Sequence, residues 1–73
     1  MKVYGYSEME TNLLSLSQLT IQANPHQLRA LATFILNCAN QMENDENWEH
    51  AHFLDECKST QTEHDIIIFR DLE

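Results

Sequence analysis

The residues best suited to chemistry stand together at Glu49-His50-Ala51-His52. On a β-strand, residues two apart face the same side, so both imidazoles can reach one zinc or nickel ion. His64 can join them from a neighbouring strand, and Asp55, Glu56 or Cys57 can supply a fourth ligand. Structural zinc sites, however, usually carry paired cysteines at short spacing. Here Cys38 and Cys57 stand far apart and neither belongs to a CxxC pair. The competing roles for the two histidines are packing and hydrogen bonding within a sheet, or contact with a partner. Metal ligation by His50 and His52 is therefore an alternative rather than the leading reading, and no cofactor is expected.

Other chemistries lack their parts. Gly5 is the only glycine, so a glycine-rich phosphate loop has no material. There is no HExxH sequence and no GxSxG elbow. Carboxylates are plentiful, but a general acid and base pair needs a cleft that separates their pKa values. Cys38 falls on an apolar helical stripe and reads as a small core residue. Cys57 reads as exposed, between Glu56 and Lys58, which pull its thiol in opposite directions. Both cysteines are expected to stay reduced. His26 reads as a surface residue. The sequence predicts a protein that is not an enzyme.

Charge gives a stronger signal. Twelve carboxylates face four Lys and Arg, for a formal charge of -8. The four cations are Lys2, Arg29, Lys58 and Arg70, and between Arg29 and Lys58 the fixed charge is entirely negative: Glu43, Asp45, Glu46, Glu49, Asp55 and Glu56. Such a chain repels a phosphate backbone and an anionic membrane, so neither nucleic acid nor membrane is an expected partner. A basic protein surface would be attracted and steered. Trp48 stands beside these acids, either as the apolar anchor of an interface or as a cap on the end of a small core. The candidate contact surface comprises Glu43, Asp45, Glu46, Trp48, Glu49, His50, His52 and Asp55. The beginning of the chain, MKVYGYSEME, has no apolar signal core, and the longest apolar run is Ile66 to Phe69. A cytoplasmic location is expected.

The elements that must position these residues follow from periodicity. A helix is expected from about Pro25 to Glu43. Asn24 is its N-cap, Pro25 takes the first helical position, and Gln27 completes a capping box. Leu28, Leu31, Ile35, Cys38 or Ala39, and Met42 form its apolar stripe, with Phe34 and Leu36 on the flanks. Its end is expected between Gln41 and Asp45, where negative charge opposes the helix dipole. Residues 2–6 and 14–23 read as strands, the second with a bulge near Ser17 because Leu14 and Leu16 are out of register with Leu19, Ile21 and Ala23. Residues 48–54 read better as a strand than as a helix. Trp48, His50, His52 and Leu54 would lie on one face, and Glu49, Ala51 and Phe53 on the other. Residues 56–62 read as a polar connection. Residues 64–70 read as a last strand, apolar on both faces and hence central or at an oligomer interface.

The fold class expected is α+β: a small antiparallel sheet in β-β-α-β-β order with one long helix packed on one face. Seventy-three residues make a single domain, 1–73, with a folded surface expected near 4,700 Å². Stability is expected to be marginal, and pairing with a second copy, as a homodimer, would relieve it.

The stretches LLSLSQLTIQANPHQLRALATFILNCANQM, WEHAHFLD and DIIIF resemble the immunity protein 32 family, small bacterial proteins whose members protect their own cell from a polymorphic or contact-delivered toxin. The resemblance runs over roughly residues 3 to 70. It rests on the strand, the Asn24-Pro25 entry into a Phe34-containing helix, and the His50-x-His52 segment ahead of the last strand. None of these is a catalytic signature. The resemblance implies a stoichiometric inhibitor that binds a toxin domain. A small structural or regulatory homo-oligomer is the principal alternative.

Overall fold

The computed structural model describes residues 1–9, 11–58 and 62–71. Its longest element is α1, Pro25–Asn44. Asn24 is extended, and its side-chain oxygen accepts the Gln27 N–H at 2.8 Å. The Gln27 side chain in turn accepts the Asn24 N–H at 3.1 Å. This reciprocal pair and Pro25 start the helix where the sequence predicts. At the other end, the Asp45 N–H donates to Gln41 O at 2.9 Å.

Two small ladders flank α1. Strand β1 (Tyr4–Gly5) pairs antiparallel with β2 (Leu14–Ser15), and the Leu16 N–H extends the pairing to Val3 O at 2.8 Å. Leu16 lies across Gly5, where an added Cβ would sit 3.1 Å from its Cδ1. Strand β3 (His50–His52) pairs antiparallel with β4 (Ile67–Phe69) in the register His50↔Phe69, Ala51↔Ile68, His52↔Ile67. A helical turn, α2 (Phe53–Glu56), follows β3 directly. The molecule is thus α+β, with the four strands and the long helix in the expected order. The sheet is divided into two separate two-stranded ladders.

The core is small. Leu31, Phe34 and Cys38 from α1 meet Phe53 from α2, with the Phe34 and Phe53 rings edge to face at 5.3 Å. Ala30, Trp48, Ala51, Cys57, Ile66 and Ile68 pack around them, half-buried. The buried stripe of α1 is therefore rotated from the expected one. Phe34, assigned to a flank, is 1% exposed, whereas Leu28 and Ile35, assigned to the centre, are each 45% exposed. Phe53 sets this rotation by facing Phe34.

Three strand expectations need correction. Of residues 14–23 only Leu14–Ser15 lies in a ladder. Leu19 and Ile21 are exposed, because no described strand pairs with that segment. Residues 48–54 contribute a strand only at His50–His52; Phe53 and Leu54 instead begin α2, which also takes Glu56 out of the expected polar connection. The last strand is buried on one face only: Ile66 and Ile68 pack on the core, while Ile67 and Phe69 are 46% and 60% exposed. Cys57, expected to be exposed, is half-buried against the core. The rest of the expected polar connection includes residues 59–61, outside the described residues.

Candidate functional site

The acidic segment is shaped by the way α1 ends. Asp45 leaves the helix in an extended conformation, and its carboxylate accepts the Asn47 N–H at 2.9 Å. The Trp48 N–H closes the turn on Asp45 O at 3.1 Å. Asn44 folds its amide back onto Asn40 O at 2.9 Å. These short-range bonds reverse the chain, so that Glu46 and Asn47 occupy the tip and Trp48 re-enters the body. The Trp48 ring is half-buried against the core, and its indole N–H donates to Gln41 Oε1 at 2.9 Å. Of the two roles open to Trp48 from sequence, the core cap is thus present in the structure.

Arg70, which the sequence did not single out, holds this turn from outside. Its Nε donates to Trp48 O at 2.7 Å, and one terminal nitrogen donates to Met42 O at 2.8 Å and Asp45 O at 2.6 Å. Its backbone N–H donates to Glu49 O at 2.9 Å. The last turn of α1 contains no basic residue. A guanidinium delivered from the end of β4 therefore satisfies carbonyls that the helix leaves open and supplies positive charge at the negative end of its dipole. Its forked donors suit three divergent carbonyls. The only sequence signal was its rarity as one of four cations.

Arg70 is turned toward carbonyls rather than toward the neighbouring carboxylates. Glu43, Asp45, Glu46, Glu49 and Asp55 are all exposed, and among the described residues no lysine or arginine forms an ion pair with a carboxylate. Glu46, Asn47, Trp48, Glu49, Phe69 and Arg70 line a shallow depression of about 300 Å³ at the base of the turn.

His50 and His52 do share one face, with ring centroids 5.4 Å apart. Each is nevertheless engaged separately. His50 stacks on Phe69 across the ladder at 4.5 Å and donates from Nδ1 to Glu49 at 3.0 Å. His52 donates from Nδ1 to Asp65 at 2.6 Å. The other Asp65 oxygen accepts the Leu54 N–H at 3.0 Å, so one carboxylate joins β3 to the start of α2. Burial pushes the Asp65 carboxyl up, but the Leu54 N–H, the hydrogen bond and charge of His52, and the Ile66 N–H together outweigh it and lower its pKa. Burial, with the Glu56 charge, pushes the Cys38 thiol up, which keeps it protonated. His64 does not join the pair and faces Glu8 at 3.7 Å. Among the described residues no group of three or more His, Cys, Asp or Glu side chains is placed to hold a metal ion, so the metal reading loses its geometric support. Among those residues, too, no helix is long and apolar enough to cross a membrane.

The structure thus brings Glu46, Trp48 and Glu49 around one depression and sets His50 and His52 on the adjoining sheet face. Glu43 lies in the last turn of α1, Asp45 at its cap and Asp55 on α2. In comparisons with known proteins, residues 18–71 match the immunity protein 32 family. No curated protein and no solved structure matches the chain. The family match takes in α1, the acidic turn, α2 and the β3–β4 ladder, and leaves the β1–β2 ladder outside. The chain belongs to the immunity protein 32 family, whose members are non-catalytic and act by binding a cognate toxin.

Proposed function

We propose that this immunity protein neutralises its toxin as a stoichiometric inhibitor, docking a basic toxin surface onto the acidic turn between α1 and β3. The observation that carries the reading is the set of exposed carboxylates at Glu43, Asp45, Glu46, Glu49 and Asp55, without lysine or arginine partners among the described residues. Of these, Glu43, Glu46 and Asp55 lose little intramolecular stabilisation when a partner's cations replace water around them, while Asp45 also holds the Asn47 N–H and Glu49 the His50 ring. The depression, lined by Trp48, Phe69, Glu46 and Glu49, with Arg70 bonded to carbonyls beside them, would take one lysine or arginine side chain. The stem would lie on the rings and the cation against the carboxylates. His50 and His52 extend the contact along the sheet face. Against a nuclease toxin, the carboxylates would occupy the groove that otherwise takes phosphates.

The test is charge reversal. The triple variant Glu46→Lys, Glu49→Lys, Asp55→Lys is expected to bind the toxin at least ~100-fold more weakly in calorimetry, since each replaces an attraction with a repulsion. Glu8→Lys, in the N-terminal turn, is expected to leave affinity unchanged. Equal affinity of the triple variant and the wild type would rule the acidic turn out as the docking surface.

A further inference from the structure

The accessible surface of the chain is 6455 Å², against about 4,700 Å² expected for a folded protein of 8.6 kDa. The radius of gyration, 13.1 Å, likewise exceeds the ~11 Å expected for this length. The surplus, about 1,750 Å² per chain, is larger than the ~800 Å² per partner of a standard interface and falls in the range of obligate homodimers, whose faces resemble a core cut in half.

Part of this exposed surface gathers in one place. A groove of about 1520 Å³ runs between β4 and the N-terminal segment, floored by Leu28, Leu31 and Ile35 of α1 and walled by Leu19, Ile21 and Ile67 among others. Along one side lies an unpaired strand edge. The hydrogen bonds that flank the β3–β4 ladder run from Arg70 N–H to Glu49 O and from Phe53 N–H to Ile66 O, which puts Ala51 and Ile68 in the hydrogen-bonded pair between them. Antiparallel ladders alternate, so Ile67 and Phe69 sit in the non-hydrogen-bonded pairs, and their N–H and C=O groups point away from β3. No described strand takes them. An apolar free edge of this kind is a template for strand addition.

We propose that the groove and the free edge of β4 form the interface with a second copy of this chain, β4 pairing with β4 antiparallel across a two-fold axis. The charges name the occupant. The groove is lined by Lys2 and Arg70 as well as Asp65 and Asp71, so it is balanced, unlike the acidic turn that would draw a basic toxin. A two-fold axis at Ile68 sets Ile67 opposite the partner's Phe69, and both outward-facing amide pairs are then satisfied. This proposal does not rest on the toxin-docking reading, although Phe69 and Arg70 line both the groove and the depression at the acidic turn.

Sedimentation of the full chain at micromolar concentration is expected to give twice 8.6 kDa. Association should strengthen with added salt, because screening relieves repulsion between two chains of charge -8. Ile67→Lys is expected to give a folded monomer, since Ile67 is 46% exposed and outside the core. Amide exchange gives a second, independent readout: the Ile67 and Phe69 amides should be protected in the wild type and not in the variant. A wild type that stays at 8.6 kDa at hundreds of micromolar overturns the proposal. So does a dimer whose Ile67 and Phe69 amides exchange freely, or protection that arises only when toxin is added, which would make the toxin the occupant.

Discussion

Arg70 lies just beyond β4, yet its side chain reaches the carbonyls of Met42, Asp45 and Trp48. Truncation to alanine would leave these groups to water and remove the cation that Arg70 places at the end of α1. The Arg70→Ala variant is expected to lose about 2 kcal/mol of stability in urea unfolding. Arg70→Lys should recover roughly half of that, because one ammonium cannot span three divergent carbonyls. Asp65 makes a comparable link between β3 and α2. Its folded pKa is lowered, so its contribution is present above the ordinary carboxyl value of 3.8 and is lost as pH falls through the folded value. Acid unfolding followed by circular dichroism should therefore include a limb below about pH 3.8 that becomes shallower in Asp65→Asn.

At the scale of elements, what could be read from sequence divides by range. The start of α1 was legible because Asn24, Pro25 and Gln27 settle it among themselves, within three residues. Asn24→Ala, which removes the side-chain acceptor of the Gln27 N–H, is expected to cost about 1 kcal/mol, and Asn24→Ser to cost much less. The facing of α1 was less legible. Its apolar arc is broad, and the choice of Phe34 over Ile35 for the centre is made by Phe53, on another element. Period-two alternation correctly put His50 and His52 on one face but ran past the end of β3. That end is fixed by Asp65, which follows Leu54 by eleven residues and takes its N–H. Leu19, Ile21 and Ala23 alternate like a strand, yet a strand needs a partner, and none of the described strands lies against them. For the candidate site, the acidic residues and Trp48 were visible as composition. The Arg70 clamp that shapes their turn was not, because it spans more than twenty residues.

For the whole molecule, size and charge together account for a surface-acting protein. The core around Leu31, Phe34, Cys38 and Phe53 is small, and five of the twelve carboxylates, Glu43, Asp45, Glu46, Glu49 and Asp55, stand on or beside a turn held from both sides. Attraction between that turn and a basic toxin would act before contact, so it belongs to the rate of encounter more than to the contacts of the final complex. The most direct measurement is the association rate of wild-type protein with its toxin across a series of salt concentrations, by stopped-flow fluorescence. The expected result is a rate that drops steeply as salt rises, with a nearly flat profile for the Glu46→Lys, Glu49→Lys, Asp55→Lys variant. A wild-type rate indifferent to salt would contradict electrostatic docking through the acidic turn.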